Sequence, residues 1–359
     1  MPRVSSPSGI LEWITGHRRP KMTDSAHLRF ERMPSQAAYR LPEIHRPLAA
    51  TDAGHWNHRG RIWDFILALA GAERVLDIGP GDGWPALYLA PHVREVVGIE
   101  PGERRVAVCR ENAKRMRTRK ARFEVMSATA LDFPAASFDG VVAATSIEQT
   151  PDPQAALREV FRVLRPGGVF RMSYEQLAGM AEPVREAVTI QAGDGGAYWI
   201  DYTIAWAATS EQRDYLAEVV PRQAAHAKRL ATWARRCRED LYPHRDPRLE
   251  RGLTRTIREL PPEDVRHVQG VRLKHFTGAR LVRTLTRIGF TDVREIVGGG
   301  WPAERLAQEL LRSRRMAAAA PLMEELCRGA ARIGLALERA ETGEVIAVKP
   351  RAGRSPRKG

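Results

Sequence analysis

Between residues 75 and 91 the chain reads VLDIGPGDGWPALYLAP, with Gly79, Gly81 and Gly83 at every second position behind Asp77. An apolar run leads into these glycines and a helix-like run follows. Glycine admits backbone torsions closed to other residues and lets a ligand approach the main chain closely. A strand that ends in such a loop and feeds a helix predicts a site for a polar ligand beyond the carboxyl end of the strand. The next strand-like run, EVVGIE, ends in Glu100. An acid there accepts hydrogen bonds from two ribose hydroxyls. A dinucleotide loop of the G-x-G-x-x-G type would need a third glycine at position 84, where Trp84 stands. That departure argues against a nicotinamide cofactor.

The elements around this loop alternate. HWNHRGRIWDFILALA (55–70) has helical apolar spacing and leads into the strand 74–79. Strand 95–100, helix 102–118, strands 121–128 and 138–146, helix 152–164 and strand 168–175 follow, with PGG at 166–168 stopping the second helix. Strands alternating with helices of this length imply βαβ units and a parallel sheet covered on both faces. After Glu175 the pattern breaks. EAVTIQAGDGGAYWIDYTIAWA (186–207) predicts a hairpin turning at Gly193–Gly196, and 209–260 reads as helical. Helix 277–290, strand 291–297, helical residues 302–340 and strand 343–350 resume the alternation. The expected organisation is an N-terminal extension (1–50), a ligand-binding core (51–175), an α+β insertion acting as a substrate cap (176–270), a segment completing a seven-stranded sheet (271–350) and a disordered basic tail (351–359).

Composition sets limits on this reading. At 359 residues and 43% hydrophobic the chain has the make-up of a soluble globular protein. No apolar run reaches the ~20 residues of a membrane span, and the first residues lack a signal-peptide core, so a cytoplasmic protein is expected. Cys109, Cys237 and Cys327 form no CxxC pair, which argues against a zinc site or disulfide framework; no metal is expected. The net charge is +14, and 50 of the 57 basic residues are Arg. The run 104–122 holds nine of them against one acid. Such a balance permits nucleic-acid binding without favouring it over a solvated helix face.

With these motifs in order, the sequence resembles the class I S-adenosylmethionine-dependent methyltransferases, in particular the small-molecule and quinone methyltransferases of the type 11 group. VLDIGPGDG and VVGIEPG match the first two motifs of that family. LDFPAASFDGVV (131–142) and TPDPQAALREVFRVLRPGGVF (150–170) match its later segments. The resemblance covers about 55–175 well and 270–350 by topology. It implies a Rossmann-like doubly wound α/β fold and S-adenosyl-L-methionine as cofactor. Asp77, Gly79, Gly81 and Gly83 would then line the methionine end, and Glu100 with Pro101 would hold the ribose. Ser127 and Ala128 would stand beside the adenine, where the family commonly has an Asp before the Ala. Thr145 and Ser146 would lie beside the sulfonium.

The acceptor side is less explicit. The resemblance places Glu148 and Gln149 where relatives carry an acid and a His, so Glu148 is the candidate base or orienting group, and Gln149 lacks the near-neutral titration of His. Trp56 and Asn57 precede the first strand and are candidates for cofactor contact, with core packing the alternative for Trp56. Tyr174 ends the fifth strand and would face the acceptor site. Tyr198, Trp199 and Tyr202 crowd the hairpin, alternating between its faces, and would suit a flat or apolar acceptor. The expected activity is methyl transfer to O, N or C of a small-molecule or lipid-like acceptor. The alternatives are an RNA methyltransferase and a cofactor-binding regulatory or scaffold protein without turnover.

Overall fold

A computed structural model describes residues 7–17, 20–23, 26, 53–239 and 247–351. The remainder of the expected N-terminal extension and the basic tail from 352 onward lie outside the described residues. The chain divides into two compact units, one built on residues 177–275 with the described N-terminal residues, the other on 53–176 with 276–351.

The second of these holds the glycine loop. Its sheet has seven strands: β1 (Arg74–Ile78), β2 (Glu95–Glu100), β3 (Ala121–Val125), β4 (Phe138–Ala144), β5 (Leu164–Ser173), β6 (Thr291–Glu295) and β7 (Glu344–Val348). Their order is β3-β2-β1-β4-β5-β7-β6. The first five strands are mutually parallel, and β7 runs antiparallel to both neighbours. The chain winds outward through β2 and β3, then returns across β1 to β4 and β5. The switch point therefore lies between β1 and β4, and α/β sheets of this kind bind ligands at that place.

The central strands explain their own parallel setting. Leu76 and Ile78 of β1, Val97 and Ile99 of β2, and Val141 and Ala143 of β4 enter one core with the helices Pro153–Val163 and Gly278–Ile288. The intervening Val75, Val96 and Val142 enter the other, with Phe65 of the helix Ala53–Ala68 and Val106 and Cys109 of the helix Glu103–Arg115. Alternate residues thus serve opposite faces, so a strand buried on both sides reads as an unbroken apolar run. Asp152 caps its helix by accepting the Ala155 N–H at 2.9 Å, with Pro153 at the first position. The helices Gly300–Arg312 and Met323–Ala336, between β6 and β7, pack on Ala53–Ala68.

The other unit is a five-stranded sheet in the order Lys21–Thr23, Val265–Lys274, Glu211–Val219, Tyr198–Trp206, Val184–Ala192. The hairpin is where the sequence places it, with Val188 opposite Tyr202 and the turn at 193–197. The expectation of helix throughout 209–260 needs correction: Glu211–Val219 is a strand, and among the described residues of this stretch the α-helices are Ala224–Glu239 and Pro247–Arg258. Tyr215 and Val219 have the four-residue spacing of a helix face. The segment nevertheless lies between two strands that pair with it on both edges, and that pairing overrides local pattern. Ile10 and Ile14 of the helix Ile10–His17 join Ile200, Tyr202, Leu230 and Ile257 in the core of this unit.

Candidate functional site

The loop after β1 turns on left-handed glycines, with φ of +72° at Gly79, +63° at Gly81 and +107° at Gly83. Only glycine adopts this region without strain. Space demands it as well. A Cβ on Gly79 would stand 2.5 Å from Cβ of Ser146, and one on Gly83 would stand 2.4 Å from the Leu87 side chain. The Gly79–Ser146 approach joins the ends of β1 and β4 at the switch point. The Ser146 hydroxyl seals it by donating to the Ile78 carbonyl.

Two buried acids frame this loop. Asp77 is fully buried and accepts the Ala86 N–H at 2.9 Å through Oδ2. Its Oδ1 is also buried and has no hydrogen-bond partner. Burial raises this carboxyl well above the usual range. Glu100 is 7% exposed, and its Oε1 accepts the Gly81 N–H at 2.5 Å. Burial raises it too, opposed by Arg105, whose Nη1 lies 4.0 Å from Oε1. The bond to Gly81 engages one carboxylate oxygen, and a carboxylate can accept on both. Asp82 follows in the loop; it accepts the Trp84 N–H at 3.1 Å and is pushed up to about 6 by burial. Pro101 is exposed beyond Glu100.

A nucleoside cofactor with a charged amino-acid end fits this chemistry. Asp77 Oδ1 is a buried acceptor without a donor, the glycine loop excludes any side chain, and Glu100 presents a strand-end carboxylate. Where the resemblance expects the adenine, Ser127 makes a hydroxyl–hydroxyl bond to Thr129 at 2.8 Å, beside the buried Ala128.

The turn after β4 is held from within. Thr145 has φ of +52°, and its N–H donates to the Ser173 carbonyl at 2.9 Å. Gln149 donates its side-chain amide to the Thr145 carbonyl at 2.6 Å, so it braces the turn. Glu148 is 2% exposed; it accepts the Glu175 N–H at 2.9 Å, and burial pushes it up to about 7. A carboxyl titrating there could take a proton near neutrality. Tyr174 is buried, edge-on to Phe276, and donates its hydroxyl to Glu295 at 2.6 Å. Its polar atom thus serves the core around β6.

In the other unit Tyr202 is fully buried; it donates to Glu186 and stacks on Tyr215. Tyr198 and Trp199 are half-buried. Trp56 is buried in a cluster with Ala307 and Met323, and Asn57 donates to Glu304 at 2.8 Å. Both fasten helices to each other. The basic run 104–122 is largely engaged within the fold: Arg110 bonds the Phe123 carbonyl, Lys120 the Val93 carbonyl, Arg115 pairs with Glu111 and Arg122 with Glu95. Cys109, Cys237 and Cys327 are free and buried.

Sequence reasoning missed a buried charge network behind the loop. Arg171 of β5 is fully buried; its Nη2 lies 2.7 Å from Glu344 and 3.7 Å from Asp64, and its guanidinium covers the Phe65 ring at 5.2 Å. Asp64, also fully buried, accepts the Gly299 N–H at 2.8 and 2.7 Å. Burial pushes its carboxyl up to about 7, against the pull of Arg171. Arg61 lies 3.5 Å from Glu344, donates to the Ser173 hydroxyl at 2.7 Å and covers the Trp84 ring at 5.0 Å. The helix Ala53–Ala68 is thereby joined to β5, β7 and the glycine loop. The available signal was Arg171 itself, a charge inside the apolar strand GVFRMSYE.

Residues 76–172 match the family model described as a methyltransferase domain. An uncharacterized methyltransferase YcgJ of Bacillus subtilis is 37% identical over 98 residues, 27% of this chain and 39% of that protein. A demethylmenaquinone methyltransferase of Thermus thermophilus is 36% identical over 136 residues, 37% of this chain and 60% of that protein. The chain thus spans less than two thirds of the length of these relatives. Among solved structures, a sugar N-methyltransferase KedS8 of a Streptoalloteichus species is similar over 85% of this chain and 89% of its own, at 15% identity and a TM-score of 0.47.

Proposed function

We propose, from the premise that residues 76–172 are a methyltransferase domain of the class I S-adenosylmethionine-dependent type, that this protein transfers a methyl group from S-adenosylmethionine to a small-molecule or lipid-like acceptor. The observation that carries the reading is the β1 loop: three left-handed glycines between the buried carboxyls of Asp77 and Glu100, at the switch point of the sheet. Asp77 and the glycine backbone would receive the amino-acid end of the cofactor. Glu100 would accept from the ribose hydroxyls, and Ser127 and Ala128 would border the base. The bound cofactor supplies an electrophilic methyl on a sulfonium. The protein supplies position, and a proton acceptor where the nucleophile needs one.

Glu148 is the candidate for that acceptor. It is held by the Glu175 N–H, and its raised carboxyl is half-ionised near neutral pH. Gln149, Thr145 and Ser146 would set the turn that faces the methyl. The inserted unit, with Tyr198 and Trp199 half-buried, would select the acceptor. The names of the relatives support a small or lipid-like substrate. An RNA substrate is the weaker reading, because much of the basic run 104–122 already has partners in the fold. The test is a labelled-methyl assay against quinone, sterol, amino-sugar and RNA acceptors. Label in an organic-soluble or sugar product supports the reading; label only in nuclease-sensitive material overturns it in favour of RNA. Cofactor binding without transfer to any acceptor favours the scaffold alternative.

A further inference from the structure

The amino-acid end of S-adenosylmethionine carries an ammonium and a carboxylate. Asp77 can receive the first and repels the second, so the carboxylate needs a cation of its own. Several cations stand near the glycine loop. Arg59 is taken by Glu324. Arg105 lies against Gly81 and beside Glu100. His58, edge-on to Trp84, is countered by Asp82. Arg171 is fully buried between Glu344 and Asp64.

Arg61 differs from these. It reaches the carboxyl end of β5 from the helix Ala53–Ala68, and its Nη2 donates to the neutral hydroxyl of Ser173 at 2.7 Å. Ser173 closes β5, and its carbonyl accepts the Thr145 N–H. The guanidinium covers the ring of Trp84, next to Gly83, at 5.0 Å. Arg61 thus joins the glycine loop to the strand end that holds the turn after β4. A Cβ on Gly300 would stand 2.5 Å from Cγ of Arg61, so packing fixes its stem.

Two neighbouring donors here lack an acceptor. Arg61 Nε is buried, 3.5 Å from Glu344, and makes no hydrogen bond; the buried indole N–H of Trp84 makes none either. A buried donor without an acceptor is costly, and a ligand that brings the acceptor relieves the cost. The charges point the same way. Burial keeps Asp64 protonated up to about 7. Below that pH Arg61 and Arg171 share the one carboxylate of Glu344, and the group holds a positive charge in excess.

We propose that Arg61 receives the carboxylate of the cofactor's methionine. A guanidinium offers a carboxylate two parallel N–H donors. Asp77 and Arg61 then grip the two charges of one zwitterion. This role rests on the loop taking S-adenosylmethionine.

Titration calorimetry of the full chain with S-adenosylmethionine and with its decarboxylated analogue, which keeps the amine, sulfonium, ribose and base, tests the role and its premise separately. The wild type is expected to bind the complete cofactor about a hundredfold more tightly than the analogue. Arg61→Met should remove most of that preference by weakening S-adenosylmethionine, while affinity for the analogue stays within about threefold of the wild type. Arg61→Lys keeps the charge without the fork and should fall between the two. Both affinities are read on one variant, so a loosened fold would lower them together. Equal losses for the two ligands would leave Arg61 a structural role and overturn the proposal. So would Arg61→Met binding S-adenosylmethionine as the wild type does, including a variant in which only the acceptor KM rises. A wild type that binds both ligands equally overturns this role alone; one that binds neither overturns the cofactor reading and this role with it.

Discussion

Asp64 offers a test of the buried network that is independent of any ligand. Substituting Asp64→Asn keeps the shape and removes the titration. In the folded protein burial holds the carboxyl at about 7, against an ordinary 3.8. Below the unfolded value both states are protonated, and Asp64 contributes its full share of stability. As pH rises from about 4 to 7 the unfolded chain loses this proton while the folded protein keeps it, so stability falls. Above the folded value both states are ionised and the difference is constant. One pKa unit corresponds to about 1.4 kcal/mol, so the window is worth roughly 4 kcal/mol. Other raised carboxyls, such as Asp77 and Glu148, titrate in both proteins and cancel in the difference. Urea unfolding followed by circular dichroism between pH 4 and 8 measures it. The stability of the wild type minus that of the variant should fall by roughly 4 kcal/mol across the window. Curves that stay parallel to within about 1 kcal/mol would show that Arg171 holds Asp64 in the ordinary carboxylate range, and the reasoning fails.

The remaining predictions concern the site. Glu100→Ala removes the acceptor of two ribose hydroxyls; bonds to a charged group are worth about 1.5–3 kcal/mol each. Titration calorimetry should therefore show S-adenosylmethionine affinity lowered about a hundredfold or more, and unchanged affinity would remove the ribose assignment. Glu148→Gln should lower the methyl-transfer rate by about 10²–10⁴ and abolish the rise in rate through pH 7 that a base titrating there produces. A variant with the wild-type pH–rate profile would leave Glu148 a purely structural role. Trp199→Ala should raise the acceptor KM while leaving cofactor affinity alone; a change in cofactor affinity instead would refute an acceptor role for the inserted unit.

The core sheet was legible because its strands obey simple rules. Runs buried on both faces, such as VVGI (96–99) and VVAA (141–144), are unbroken and apolar, and Asp152-Pro153 announces its helix. The glycine loop was legible because left-handed torsions at close quarters leave no other residue possible. Glu211–Val219 was not, because its partners, about ten and fifty residues away in the chain, decide its state. Its place in the sequence makes Gln149 a candidate catalytic residue, whereas in the fold its amide braces the Thr145 turn. Tyr174 was read as facing a substrate, whereas its hydroxyl is taken by Glu295. Spacing assigns a residue to a strand end but cannot say which of its neighbours will take its polar atom. The Asp64–Arg171–Glu344 network joins residues up to 280 positions apart, and no local window contains it.

The loop between Asp77 and Glu100 is proposed to receive the methionine and ribose parts of one nucleoside cofactor. Calorimetric titration of the full chain with S-adenosylmethionine, with its demethylated product and with NADH tests this most directly. Saturable one-to-one binding of the first two and none of the third is expected. Binding of NADH in their place, or of none of the three, would contradict it.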